Sequence, residues 1–144
     1  MVVVRCPSYA LLPRLVERFG SGRPLERQIG FSRVVVAGGL VAVSGCAPTD
    51  PDGSSAGGDD PYRQAQACIA VIRAALKIAG CSLADVYRTR TYLTAAADWE
   101  AVGRAHGEAF AEFPPASTMV VVKELLRPEW RVEIEADALA PGRR

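Results

Sequence analysis

A chain of 144 residues makes one domain by size, and 49% hydrophobic content is enough for a core. Seventeen basic side chains against sixteen acidic ones leave a formal net charge of +1, without the clustered Lys and Arg that nucleic-acid binding needs. No run reaches the ~20 apolar residues of a membrane span. The expected partners therefore include neither nucleic acid nor membrane.

The cysteines are Cys6, Cys46, Cys68 and Cys81. They form no C-x-x-C pair, and His106 is the single histidine, so no metal site is expected. Cys68 falls on an apolar helix face and reads as core. Met1–Val4 is apolar but is interrupted by Arg5 and Pro7, which does not make a signal peptide. A cytoplasmic protein with reduced thiols is the expectation.

Residues 1–27 read as an N-terminal extension and residues 28–144 as the main domain. Val2–Val4 suits a short strand. Leu11, Leu12, Leu15, Val16 and Phe19 recur at helical spacing, which predicts a helix over Tyr9–Phe19 with Pro13 in its first turn. Gly20-Ser21-Gly22-Arg23-Pro24 ends it as a linker.

Ser32–Val36 and Leu40–Ser44 flank Ala37-Gly38-Gly39 and predict a β-hairpin, because paired glycines supply the positive φ of a tight turn. A Pro-, Asp-, Gly- and Ser-rich loop follows over Ala47–Asp60. Asp60-Pro61 then opens a helix, with Asp as N-cap and Pro at the first position. Ala65, Cys68, Ile69, Ile72, Leu76 and Ala79 share its inner face, and Gly80 stops it. Val86–Leu93 reads as a strand. Asp98 caps a second helix with Trp99, Val102, Ala109, Phe110 and Phe113 inward, and Pro114-Pro115 ends it. Thr118–Val122 and Val132–Leu139 are the last strands.

The order is strand, strand, helix, strand, helix, strand, strand. This describes an α+β fold, a sheet with two helices packed on one of its faces. Val34-Val35-Val36, Leu40-Val41-Ala42-Val43 and Met119-Val120-Val121-Val122 do not alternate, so the second face is apolar as well. Either another subunit or the N-terminal extension covers that face, and the pattern favours a homo-oligomer.

Five strings in order carry a resemblance. They are Phe31-Ser32-Arg33; Ala37-Gly38-Gly39-Leu40-Val41-Ala42-Val43-Ser44-Gly45; Asp85 to Thr94; Pro115-Ala116-Ser117-Thr118-Met119-Val120; and Val132-Glu133-Ile134-Glu135-Ala136. Over residues 28–140 the chain resembles the RidA (YjgF/YER057c/UK114) family. The resemblance implies a chorismate-mutase-like mixed sheet, a homotrimer with an inner barrel, and three clefts between subunits that take a small-molecule ligand. It also implies hydrolysis of enamines and imines such as 2-aminoacrylate to 2-keto acids and ammonia, with no cofactor. In the family an arginine pairs the substrate carboxylate bidentately, and a glutamate is thought to position water.

Here Ser117 stands at the position of that arginine, Met119 where a small residue or cysteine is usual, and Gly103 where an asparagine is frequent. The chain thus resembles branches of the family that lack the arginine. Glu133 is retained, as are Ser44 and Gly45, with Phe31 for the usual tyrosine. Glu133 is accordingly the candidate catalytic residue. Phe31, Ser44, Gly45, Arg90, Tyr92, Ser117, Thr118 and Met119 are the candidate substrate contacts.

Glu133, Glu135 and Asp137 share one strand face, and Arg88 and Arg90 alternate likewise on the central strand. For Glu135 and Asp137 a structural charge ladder is expected, and for Glu133 a cleft role. Arg90 is the nearest replacement for the missing cation, although a salt bridge to those acids is the favoured reading. Ser117 and Thr118 offer hydroxyls that cannot neutralise a charge. Ser117 as a nucleophile would need His106 as its base, which is not expected. His106 itself reads as a packed or surface residue, and Trp130 as either a rim or a packing residue. Two functions compete: a cofactor-independent imine or enamine hydrolase, and a trimer that binds a small ligand or partner without chemistry. The charge balance gives a ribonuclease role no support.

Overall fold

A computed structural model describes residues 16–142. Six strands form one mixed sheet. They are β1 (Val16–Phe19), β2 (Val34–Ala37), β3 (Leu40–Cys46), β4 (Val86–Leu93), β5 (Ala116–Val121) and β6 (Val132–Leu139). Their spatial order is β1-β2-β3-β6-β4-β5. The helices are α1 (Pro24–Ile29), α2 (Pro61–Ile78) and α3 (Trp99–Ala109).

The hairpin β2–β3 turns at Gly38 and Gly39, whose φ values of 57° and 86° are both left-handed, as a tight two-residue turn requires. Only β4 and β5 run parallel. Parallel neighbours need a crossover, and α3 supplies it. Asp60 caps α2 as expected, its side chain accepting from the backbone N–H groups of Tyr62 and Arg63.

α2 packs on β2, β3 and β6 and against α3. Ile69, Ile72 and Leu76 of α2 and Val102 of α3 meet Val34, Val36, Val41, Val43, Val132 and Ile134 in one buried cluster, which also holds Cys68. The two long helices thus cover one sheet face. On the other face Leu40, Val120 and Leu139 are exposed, interleaved with Arg90, Glu135 and Asp137. The charge ladder is present: Arg90 Nη1 reaches Glu135 at 2.9 Å and Asp137 at 3.0 Å.

Four expectations are corrected. Val16–Phe19 is a strand, not the end of a helix, because pairing with the otherwise bare edge of β2 outweighs the helical spacing; residues 9–15 lie outside the described residues. Pro24 is not the end of a linker but the start of α1, and Ser21 ties back to Glu26 through its N–H at 2.8 Å and its hydroxyl at 2.6 Å. Asp98 precedes α3 but its carboxylate does not cap it. Arg131 takes both oxygens instead, through Nε at 2.9 Å and Nη2 at 2.7 Å. Trp99 and Phe113 are exposed rather than inward. The inward stripe starts one turn later at Val102, and Phe113 lies past the helix end. Among the described residues no helix is long and apolar enough to cross a membrane.

Candidate functional site

The site is built where β3 leaves the sheet. Between the Val43–Ala136 and Cys46–Ile134 pairs the pairing of β3 with β6 slips, so Ser44 and Gly45 form a bulge opposite the single residue Glu135. A Cβ placed on Gly45 would overlap Glu133 Oε1. The φ of Gly45 is not positive, so glycine serves there to let the Glu133 carboxylate approach closely and not for backbone freedom. Ser44 fixes the base of the hairpin, its hydroxyl donating to the Ser32 carbonyl at 2.7 Å.

A hollow of about 350 Å³ opens over this bulge, and Phe31, Arg33, Ser44, Gly45, Trp130 and Glu133 line it. α1 closes one side with Leu25 and Ile29. Arg33 is buried beside it. Its Nη1 donates to the Gly45 carbonyl at 2.7 Å, its Nε lies 3.4 Å from Glu26, and its guanidinium sits 5.3 Å from the Phe31 ring centre. Burial works against ionising Glu26, but hydrogen bonds from Ser21 and the charge of Arg33 hold its carboxyl below the ordinary range. Trp130 is buried and donates from Nε1 to Ser55 Oγ at 3.0 Å. It therefore packs and lines the hollow at once.

Glu133 is half-buried and makes no hydrogen bond or ion pair with the described residues. Burial raises its pKa, Arg33 opposes the rise, and Glu135 adds to it. The cation nearest in effect is thus Arg33, from the hairpin base, and not Arg88 or Arg90 of the central strand. A carboxylate in this state can exchange a proton with a bound molecule more readily than an ordinary surface glutamate.

The structure groups Phe31, Ser44, Gly45 and Glu133 in one hollow and puts the other candidates elsewhere. Arg90 is held by Glu135 and Asp137 on the open sheet face. Tyr92 lies there too, opposite Glu133 in register; burial and then Glu135 raise its pKa. Thr118 pairs with Arg90 in the parallel β4–β5 register. Ser117 and Met119 lie on edge strand β5, with Met119 packed against the core. A Cβ on Gly103 would meet open space, so a larger residue fits there. Arg33 and Glu26 were missed as site residues. Charge at Arg33, directly before an apolar strand, was the available signal. Among the described residues no three His, Cys, Asp or Glu side chains are grouped to hold a metal ion.

A mixed sheet with two long helices on one face and an acid-bearing hollow at its bulged end defines a RidA-like α+β protein. The chain belongs to this family: residues 23–140 match the family described as Endoribonuclease L-PSP. An uncharacterised protein of Streptomyces coelicolor is 36% identical over 123 residues, 85% of this chain and 91% of its own length. A RutC family protein of Pyrococcus abyssi is 32% identical over 110 residues, 76% of this chain and 84% of that one. The crystal structure of Rv2704 from Mycobacterium tuberculosis, a YjgF/YER057c/UK114 family member, superposes with a TM-score of 0.78 at 39% identity, covering 87% of this chain and 99% of that one.

Proposed function

We propose that the protein is a homotrimer whose inter-subunit clefts take a small metabolite, and that it hydrolyses an imine or enamine without a cofactor. In this reading the chain lies in a branch of the family that lacks the substrate-binding arginine. Glu133 orients water against a C=N carbon or protonates an enamine carbon. The observation that carries the reading is Glu133 itself, half-buried, unpaired among the described residues and pressed against Gly45 in the hollow. The hollow and the Ser117 edge are separated by β4 in one chain, and in this reading a second copy brings them together. Leu25, Ile29 and Leu126 are exposed apolar residues around the hollow and suit burial against that copy. Free, buried Cys46, Cys68 and Cys81 support a reducing, cytoplasmic setting.

Serine at position 117 cannot balance a carboxylate. Hydrolysis of 2-aminoacrylate is therefore expected to be weak, since losing a hydrogen bond to a charged group costs ~1.5–3 kcal/mol, or roughly ten- to a hundredfold. Arg90 does not compensate, because Glu135 and Asp137 already engage it. A coupled dehydratase assay checks this, and rates equal to those of arginine-bearing relatives would contradict it. The second reading is a non-catalytic trimer that binds a ligand, favoured by the apolar lining of the hollow. Ammonia release by wild type and Glu133→Gln separates the two. A hydrolase loses turnover in the variant with its fold intact, whereas a binding protein saturates with ligand and yields no product.

A further inference from the structure

The single histidine of the chain lies two hydrogen bonds from the residue that stands in place of the family's arginine. His106 Nε2 is 2.9 Å from Thr89 Oγ1, and Thr89 Oγ1 donates to Ser117 Oγ at 3.0 Å. α3, β4 and β5 each supply one member. Thr89 is fully buried, while Ser117 is exposed on the edge strand. The Phe110 ring packs against His106 with centroids 4.6 Å apart. Burial beneath α3 does not by itself create such a chain: the hydroxyl of Thr91, two residues along β4 and equally enclosed, has no partner among the described residues.

We propose that His106, Thr89 and Ser117 form a proton relay that opens at the Ser117 hydroxyl and serves an imine or iminium substrate with no carboxylate at that end. This rests on the reading that Ser117 borders the ligand cleft. Hydroxyls rotate and both donate and accept, so the chain can carry a proton in either direction. With the Thr89 hydroxyl turned towards the imidazole, neutral His106 with its proton on Nδ1 accepts at Nε2 from Thr89, Thr89 accepts from Ser117, and Ser117 accepts from the attacking water. The water oxygen bonds to the iminium carbon as the C=N π pair moves to nitrogen, giving a neutral carbinolamine and an imidazolium. Reversal returns that proton to the amine nitrogen. The C–N bond then breaks with its pair leaving on ammonia, and the carbinol hydroxyl proton passes to Glu133.

Burial lowers the pKa of His106, with no charged side chain contributing, which favours the neutral base. The neighbouring charges face elsewhere. On α3, Arg104 lies over the Tyr62 ring of α2 at 4.2 Å, and Glu108 accepts from the Tyr62 hydroxyl at 2.6 Å. On β4, Arg90 is bound to acids on the opposite sheet face, and Arg88 shares that face. β5 carries no titratable residue.

The test treats the full chain with phenylmethanesulfonyl fluoride across pH and locates adducts by peptide mass. In parallel, NMR titrates the one imidazole. Labelling requires Ser117 to lose its proton as its oxygen displaces fluoride, so it reads the relay without any imine. An adduct at Ser117 is expected, with a rate that rises through the titration of His106. Thr89→Val should slow it by about a hundredfold, the scale of one positioned base, and Thr89→Ser should restore it. His106→Gln, which keeps a hydrogen-bonding group but no base, should match Thr89→Val; circular dichroism checks each fold. No Ser117 adduct, an unchanged rate in the folded Thr89→Val or His106→Gln protein, or a profile independent of the imidazole would overturn the relay. Intact labelling without imine turnover would overturn the cleft hydrolase instead.

Discussion

Glu133 is the residue on which burial and charge act most visibly. Its carboxyl sits above its ordinary value of 4.5 in the folded protein because burial penalises the charge. The folded state therefore binds this proton more tightly than the unfolded chain, and stability falls as pH rises from the unfolded value through the folded one. Glu133→Gln removes that penalty. Melting scans should show the variant more stable than wild type at neutral pH, with the difference fading below about pH 4. A difference independent of pH would mean that the charge is not what burial penalises. Gly45 provides a second test. Gly45→Ala should destabilise by about 1–3 kcal/mol through overpacking against the carboxylate, and a shorter residue at position 133, as in Glu133→Ser, should recover much of it. Denaturant melts of the two single variants and the double variant measure the coupling.

Glu133 was legible as a candidate because its string resembles the family's. Arg33 was not, although it stands in another of the quoted strings. Its importance comes from a fold in which the hairpin base, α1 and β6 converge, and no local pattern encodes that convergence. The Ser117–His106 proximity was likewise invisible. The two residues are 11 apart in sequence and are joined only through Thr89 on a neighbouring strand.

At the scale of elements, local chemistry predicted what local chemistry controls. The Gly38–Gly39 turn, the Asp60 cap and the β6 bounds Val132–Leu139 follow the sequence pattern closely. Where a tertiary partner competes, the pattern misleads. Val16–Phe19 has helical spacing but pairs with β2, and Asp98 has the chemistry of a cap but turns to Arg131. The difference at Asp98 is measurable. A cap would be kept by Asp98→Ser, whereas a buried bidentate pair is lost by Ser and Ala alike. Because Asp98 is only 4% exposed, both variants should lose about 2–4 kcal/mol in denaturant melts. A mild Ser variant beside a severe Ala variant would restore the capping role.

The whole molecule leaves Leu40, Val120 and Leu139 exposed on the face the helices do not cover. The lack of alternation in β2, β3 and β5 had pointed to apolar residues on this face, and they stand there beside the Arg90–Glu135–Asp137 ladder. Oligomeric number is less legible, because symmetry is a property of copies and not of one chain. Light scattering should give about three times the 15.3 kDa monomer mass. Val120→Asp, which would put a charge into the proposed contact, should shift the mass towards the monomer.

The central claim is that one subunit supplies Glu133 and its neighbour supplies Ser117. Co-expression of Glu133→Gln with Ser117→Ala tests it most directly, with imine hydrolysis as the readout. Each variant alone should be nearly inactive, and random mixed trimers should regain activity at about a quarter of their interfaces, where both residues are intact. Mixed trimers that form but regain nothing would contradict a cleft shared between subunits.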